Sequence, residues 1–133
     1  MSGEKSNGKR ILVVDDDPVC RNIMALCLTK AGFRVSMAGD GVMALRLAEQ
    51  EPFHLVISDY FMTPWLGSEF IKELRQIEGY ATTPVILVTA YAVELNPLFF
   101  RDELSTVVLP KPCQPGVLLE AVSKFLGVSQ VSS

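Results

Sequence analysis

The chain has 133 residues, of which 49% are hydrophobic and 20% charged, which is typical of one globular domain. Its net charge of -3 and the lack of a lysine or arginine cluster argue against nucleic-acid binding by bulk electrostatics. No apolar run is long enough to span a membrane, and residues 1–10 lack the apolar core of a signal peptide. We therefore expect a cytoplasmic protein.

The first strand and helix are predicted from residues 11–32. Ile11–Val14 is a continuous apolar run, typical of a strand buried on both faces of a parallel sheet. Asp17 offers an N-cap, Pro18 a first helical residue and Gly32 a stop, so a helix is expected between them. Its apolar stripe consists of Cys20, Ile23, Met24, Cys27 and Leu28.

The next strands and helices repeat this alternation. Phe33–Met37 is a short second strand, and Asp40 opens a second helix. Phe53–Ser58 is the third strand, and Ser68 is the candidate cap of the third helix. The second helix is expected to turn inward Val42, Leu45 and Ala48.

The last part of the chain predicts two more strands. Val85–Val88 is the fourth strand, Thr106–Leu109 the fifth, and Pro115–Leu126 the final helix. Asn96-Pro97 marks the start of a short fourth helix within an apolar segment. Five such units predict an α/β domain, a doubly wound five-stranded parallel sheet with helices on both faces.

Polar residues follow the predicted strands at their carboxyl ends. They are Asp15 and Asp16 after the first strand, Asp59 after the third, Thr89 after the fourth and Lys111 after the fifth. These positions share one edge of a doubly wound sheet, where such sheets bind ligands. Carboxylates gathered there repel one another unless a proton or a metal intervenes, and Mg²⁺ prefers carboxylates, water and phosphate oxygens. A lysine and a threonine can add an ammonium and a hydroxyl for phosphoryl oxygens, so the set indicates phosphoryl chemistry.

Each of these residues also has a purely structural interpretation. Asp17 before Pro18 is most simply a helix cap, and a single acid, threonine or lysine after a strand is commonly just solvated. Their joint occurrence at consecutive strand ends favours the functional interpretation. Cys20 and Cys27, seven residues apart on one helix, are interpreted as small apolar core residues rather than metal ligands.

With these residues in place, the chain resembles the receiver domain of two-component response regulators, of the chemotaxis-regulator type. The matching residues are Val14-Asp15-Asp16, Asp59 with Met62 and Gly67, Thr89-Ala90, and Lys111-Pro112. The resemblance implies a flavodoxin-like (βα)5 fold with strand order 2-1-3-4-5. It also implies a receiver domain over residues 9–127, with flexible tails at 1–8 and 128–133.

The resemblance further implies a role for each acid. Asp59 would be the phosphoacceptor, and Asp16 and Asp59 would bind Mg²⁺ directly. Asp15 would act on the metal through water, and the backbone carbonyl of Phe61 would be a further ligand. A sensor histidine kinase or a histidine phosphotransfer protein would supply the phosphoryl group.

The remaining implied roles concern switching. Thr89 would hydrogen-bond the phosphoryl group and move with it, Lys111 would pair with it, and the Lys111–Pro112 peptide bond would be cis. An output partner or a second copy would bind the face formed by the fourth helix, fifth strand and fifth helix, with no direct contact to nucleic acid or membrane. Such a module is no enzyme with a separate substrate, since it catalyses only its own phosphotransfer and slow autodephosphorylation.

Several positions depart from the family pattern. Thr63 stands where relatives usually have proline, and Val108 where they commonly have an aromatic switch residue. Phe61 and Tyr91 occupy the two positions that relatives use to tune dephosphorylation. We expect these rings to exclude water and prolong the life of the phosphorylated state; the alternative is that they only lean on the surface.

The sequence has three alternative interpretations. A haloacid-dehalogenase-like phosphatase would use Asp15 as nucleophile in a D-x-D-x-[TV] motif, but only Glu120 follows Lys111 as a further acid, and Asp59 has no role there. A nucleotide-binding Rossmann module would need glycines in the first strand–helix turn. A degenerate receiver used only for docking stays open, as does the choice between a stand-alone regulator and part of a larger protein.

Overall fold

Residues 8–62, 65–92 and 106–127 are described by the computed structural model. Within these ranges the chain alternates between strands and helices. The elements are β1 (Arg10–Val14), α1 (Pro18–Lys30), β2 (Arg34–Ala38), α2 (Gly41–Gln50), β3 (Leu55–Asp59), α3 (Gly67–Arg75), β4 (Val85–Thr89), β5 (Thr106–Pro110) and α4 (Pro115–Leu126). None of the helices in this part of the chain is long and apolar enough to cross a bilayer.

The five strands form one parallel sheet in the order β2-β1-β3-β4-β5. This confirms the doubly wound, flavodoxin-like architecture. Every residue of β3 and β4 is buried, because helices cover both faces of the sheet. Leu12, Val56 and Leu87 pack with α2 and α3 on one face, whereas alternate residues such as Ile57 and Ile86 pack with α1 and α4 on the other.

The starts of α1 and α2 confirm the predicted caps. The Asp17 carboxylate accepts the N–H of Val19 at 3.0 Å, and Pro18 is the first helical residue. The Asp40 carboxylate accepts the N–H of Met43 at 2.8 Å. Both contacts satisfy an N–H group that the helix itself cannot pair.

The predicted cap of α3 was wrong. The helix begins at Gly67, with Leu66 at the N-cap position, so Ser68 already lies within the helix. The Leu66 N–H donates to the Glu69 carboxylate at 2.7 Å, and this reaching-back contact replaces a serine cap. The Ser68 hydroxyl instead lies 3.4 Å from the Tyr60 hydroxyl.

Two helical residues predicted to face inward are exposed. Ile23 is 57% exposed, and Val42 is also exposed at the start of α2. The buried face of α1 is formed by Met24, Ala25 and Leu28, which rotates Ile23 toward solvent. Cys20 and Cys27 are half-buried free thiols at the margin of that face.

Some predictions concern parts of the chain outside the described residues. The short fourth helix at Asn96-Pro97 and its apolar segment fall between residues 93 and 105. Most of the predicted tails, residues 1–7 and 128–133, also lie outside.

Candidate functional site

The register of the sheet brings the predicted site residues to one edge. Val14 pairs with Ser58, and Asp59 pairs with Val88, so Asp15 and Asp59 leave adjacent strands at similar heights. Thr89 pairs with Pro110 at the ends of the next two strands, which places Lys111 beside them. The N–H of Lys111 donates to the Thr89 carbonyl at 3.0 Å. The Lys111–Pro112 peptide bond is cis, as the resemblance implied.

Asp15 is held from several directions and is 0% exposed. One carboxylate oxygen accepts the N–H of Asp17 at 2.9 Å, and the other accepts the Lys111 ammonium at 3.0 Å. Its backbone N–H donates to the Ala38 carbonyl at 3.2 Å. Its backbone carbonyl accepts the Arg21 guanidinium at 2.7 Å, a contact that the sequence did not suggest. The first acid of the site is therefore fixed in position before any ligand binds.

Lys111 joins Asp15 to Asp59. Its ammonium lies 3.0 Å from Asp15 Oδ2 and 3.2 Å from Asp59 Oδ2. Burial alone would lower the pKa of Lys111, but the hydrogen bond to Asp15 and the charge of Asp59 outweigh it and raise the pKa. One ammonium thus serves two carboxylates, and it stays protonated in doing so.

For the pKa of Asp59, burial outweighs the attraction of Lys111. Burial raises the pKa of its carboxyl, the charge of Lys111 lowers it, and the neighbouring charge of Asp15 raises it again, with a net rise. The folded protein therefore holds the ionised form of Asp59 at a cost that a further cation would reduce.

The acids fit a divalent cation by position and by chemistry. Asp15, Asp16 and Asp59 each place a carboxylate oxygen so that all three atoms lie within 4.8 Å of one another. Asp16 is exposed, so its side chain faces solvent at the rim, while Asp15 and Asp59 are buried. Hard oxygen donors gathered in this way suit Mg²⁺.

The loop after β3 is closed by a glycine. The Gly67 N–H donates to the Tyr60 carbonyl at 2.6 Å. A Cβ at Gly67 would lie 3.0 Å from Tyr60 Cα and 3.1 Å from Leu87 Cδ2, so a larger residue would push the loop away from β3. This close approach is a physical reason for a glycine eight residues after Asp59. Phe61 lies within the loop, where it forms an isolated β-bridge with Leu66, and the metal-ligand role of its carbonyl stays a prediction.

Thr89 is buried at the end of β4. Its hydroxyl accepts the N–H of Tyr91 at 3.1 Å. Val108, at the position where relatives commonly have an aromatic residue, is half-buried and packs against the core on the α2–α3 face. The phosphoryl-sensing role of Thr89 stays a prediction.

Two aromatic rings meet two residues after Asp59 and Thr89. The Phe61 and Tyr91 ring centroids are 5.2 Å apart at 73°, and Phe61 also meets the Tyr60 ring edge-on at 4.9 Å. Phe61 is 47% and Tyr91 53% exposed. The sequence placed these rings beside the site but gave no sign that they touch each other.

Comparisons with known proteins agree with this fold. The family model for the response regulator receiver domain matches residues 11–123. A 14.6 kDa protein of Leptolyngbya boryana is 35% identical over 115 residues, which are 86% of this chain and 88% of the relative.

Solved structures show the same likeness. The chemotaxis response regulator CheY4 of Vibrio cholerae superposes with a TM-score of 0.80 at 31% identity, covering 88% of this chain and 98% of that one. The receiver domain of sensor histidine kinase PA1611 of Pseudomonas aeruginosa, with a magnesium ion in its active-site cleft, superposes with a TM-score of 0.80 at 26% identity, covering 90% of this chain and 98% of that one. The fold, the strand-end acids and the family match together identify this chain as a member of the response regulator receiver domain family.

Proposed function

We propose that the protein is a phosphorelay receiver that accepts a phosphoryl group on Asp59 in the presence of Mg²⁺. The observation that carries this proposal is the Lys111 ammonium, which lies 3.0 Å from Asp15 and 3.2 Å from Asp59. A cation in that position is suited to hold a phosphoryl oxygen once Asp59 is modified. A sensor histidine kinase or a histidine phosphotransfer protein would be the donor.

The reaction needs little covalent chemistry from the protein. An Asp59 carboxylate oxygen attacks phosphorus, the P–N bond to the donor imidazole breaks, and the imidazole leaves with the electron pair. The product is an acyl phosphate, whose oxygens Lys111 can bind. Neutralising charge in this way stabilises the transition state, because the acids would otherwise repel the incoming phosphoryl group.

Four residues would hold the metal. Asp16 and Asp59 would bind Mg²⁺ directly, Asp15 through water, and Phe61 through its carbonyl. When bound, Mg²⁺ supplies positive charge that offsets the phosphoryl oxygens and the acids. The proximity of the Asp15, Asp16 and Asp59 oxygens, within 4.8 Å of one another, supports this assignment.

Phosphorylation would then switch a protein-binding face. It adds charge and acceptor oxygens at Asp59, and the Thr89 hydroxyl can turn to donate to them and carry the following loop with it. The face would be formed by β5, α4 and the chain segment before β5. It would bind an output protein or a second copy of this chain. Val108 replaces the usual aromatic residue, so this output would depend on Thr89 and its loop.

We assign the protein to the cytoplasm. Cys20, Cys27 and Cys113 are free thiols, and a reducing compartment would keep them so. The domain would have no turnover on a separate substrate, and its only reactions would be phosphotransfer to itself and slow loss of that group.

The test is phosphorylation by acetyl phosphate or phosphoramidate, followed by intact mass spectrometry with and without Mg²⁺. The wild type is expected to gain a single phosphoryl group that requires Mg²⁺, and Asp59→Asn to gain none. Glu49→Gln, which removes an exposed carboxylate on α2, is the matched control and is expected to behave like the wild type.

Two results would contradict the proposal. No adduct at any donor concentration would favour a docking domain that works without phosphorylation. An adduct that survives in Asp59→Asn but is lost in Asp15→Asn would favour the phosphatase-like chemistry, with Asp15 as nucleophile.

A further inference from the structure

Arg21 lies close in sequence to three aspartates and pairs with a backbone group rather than with their charges. It follows Asp15, Asp16 and Asp17, and its backbone N–H donates to the Asp17 carbonyl at 3.0 Å in the first turn of α1. Its guanidinium forms no salt bridge with any residue that the structure describes. It donates instead to the uncharged Asp15 carbonyl at 2.7 Å. The Arg21 side chain therefore fixes a backbone group instead of neutralising an acid.

The bond to the Asp15 carbonyl holds one of the two peptide planes that flank Asp16. Because the peptide unit is planar, holding this carbonyl also fixes the orientation of the Asp16 N–H. The next peptide plane is held by the Asp17 N–H, which donates to the Asp15 carboxylate at 2.9 Å. With both planes held, the two backbone dihedral angles of Asp16 are set, and so is the direction in which its side chain leaves the chain.

Asp16 depends on this backbone restraint. Its side chain is exposed, and no residue in the described ranges donates a hydrogen bond to its carboxylate. Even so, one of its oxygens lies within 4.8 Å of oxygens of Asp15 and Asp59. Carboxylates at that spacing repel one another, so an Asp16 with a free backbone would turn away into solvent. The held peptide planes keep it beside the other two acids.

The Arg21 guanidinium is positioned by two loops. A Cβ at Gly39 would lie 3.4 Å from Arg21 Nη1, so the guanidinium lies against the chain just after β2. The Asp15 N–H donates to the Ala38 carbonyl at 3.2 Å, which holds the end of β1 to the end of β2. Arg21 is half-buried in this arrangement. The loops after β1 and β2 thus place the donor and its acceptor together.

We propose that Arg21 is a positioning residue for the metal site, whose bond to the Asp15 carbonyl aims the Asp16 carboxylate at the position of Mg²⁺. This inference rests on the proposed Mg²⁺-dependent function and adds a residue that acts on the metal through the backbone.

The charge of Arg21 and its hydrogen bond affect a cation in opposite directions. The guanidinium repels a nearby cation, so loss of its charge alone would tighten Mg²⁺ binding. Loss of the bond to the Asp15 carbonyl would release Asp16 and weaken Mg²⁺ binding. Residues that hold a metal ligand in place contribute about ten- to hundredfold in metal affinity, more than the repulsion between charges that water screens. The direction of the change in affinity therefore distinguishes positioning from a charge effect.

The experiment is a Mg²⁺ titration of the unphosphorylated protein without a phosphodonor, followed by two-dimensional NMR. Arg21→Met is expected to raise the dissociation constant for Mg²⁺ by about tenfold. Arg46→Met removes the same charge from an exposed position on α2 and is expected to leave the constant unchanged. With acetyl phosphate present, the slower phosphorylation of Arg21→Met is expected to recover as the Mg²⁺ concentration rises.

A second titration tests whether Arg21 acts through Asp16. In the Asp16→Ala background the metal ligand is absent, so Arg21→Met is expected to change the dissociation constant by less than about twofold. Mg²⁺ is titrated far enough to saturate each variant. Arg21→Lys keeps the charge and a donor but lacks the planar fork, and its dissociation constant is expected to lie between those of the wild type and Arg21→Met. Urea unfolding without Mg²⁺ checks that each variant is folded.

Three results would overturn the positioning role: Mg²⁺ binding in Arg21→Met and Arg21→Lys as tight as in the wild type or tighter, the full loss of affinity in the Asp16→Ala background, or a lower urea midpoint with unchanged Mg²⁺ affinity. In each case a wild type that binds Mg²⁺ and gains its phosphoryl group leaves the proposed function standing. A wild type that binds no Mg²⁺ would overturn both inferences.

Discussion

The two ends of the parallel sheet both contain polar groups near the strand ends, but they balance charge differently. At the amino end, the Arg10 guanidinium pairs with the Glu51 carboxylate at 2.7 Å, one cation with one anion. The Tyr80 hydroxyl donates to the Glu51 carbonyl at 2.7 Å and accepts the Phe53 N–H at 3.1 Å. In these contacts each charge has a partner of opposite sign, and each hydrogen-bond donor has an acceptor.

The carboxyl end is left with excess negative charge. Asp15, Asp16 and Asp59 gather their oxygens within 4.8 Å, and Lys111 is the cation that contacts two of them. Buried charges without full compensation are costly, and proteins retain them chiefly where function requires them. The contrast indicates that excess negative charge, rather than polarity alone, marks the end of the sheet that would bind a ligand.

Lys111→Met should give the largest effect. It leaves Asp15 and Asp59 without their common cation, so the rate of phosphorylation by acetyl phosphate should fall by about a hundredfold or more. The free energy of unfolding without Mg²⁺ should fall by about 3 kcal/mol, because buried charges lose their partner. Intact-mass measurements on quenched time points give the phosphorylation rate, and urea unfolding gives the free energy of unfolding. Lys124→Met, on the exposed side of α4, is the matched control, and equal behaviour of the two variants would mean that Lys111 serves neither role.

Tyr80→Phe tests the amino end. The variant leaves the Phe53 N–H buried without an acceptor, which should lower the free energy of unfolding by about 1–3 kcal/mol. The rate of phosphorylation should stay at the wild-type value, since the residue lies at the opposite end of the sheet from Asp59. A loss of phosphorylation in the folded variant would show that the two ends of the sheet are coupled.

Tyr80 should also make the free energy of unfolding depend on pH. Burial raises the pKa of Tyr80, because the folded state favours the neutral phenol. Its contribution to stability is therefore present below the ordinary pKa of about 10 and is lost as the pH rises through the higher folded value. Unfolding measured across the alkaline range should show a steeper loss of stability in the wild type than in Tyr80→Phe. Parallel curves would contradict the assignment.

Glu51→Gln should give the smallest effect. Its carboxylate pairs with Arg10, but both side chains are about one third exposed, so water and salt screen the interaction. The free energy of unfolding should fall by no more than about 1 kcal/mol, and less at high salt. A drop comparable with that of Lys111→Met would show that the amino end depends on charge as strongly as the carboxyl end does.

The sequence predicted well what depends on neighbouring residues. Asp17 and Asp40 cap their helices as expected, because an N-cap contact spans only two or three residues. It failed at Ser68, because α3 begins one residue earlier at Gly67 and the Phe70 N–H already donates to the Leu66 carbonyl at 3.0 Å. It also failed at Ile23, because the rotation of α1 on the sheet, and not the apolar pattern alone, selects the buried face.

The five strands, the caps of α1 and α2, and the acids at the carboxyl ends of β1 and β3 can all be predicted from the sequence. Which of these groups meet depends on the folded chain: Lys111 and Asp15 are 96 residues apart along the sequence, yet their charged atoms lie 3.0 Å apart. Likewise, the ring pair of Phe61 with Tyr91 exists only once β3 and β4 lie side by side in register. The physical reason is range: caps and apolar periodicity act over a few residues, whereas the sharing of a charge or a ring face depends on the packing of distant strands side by side.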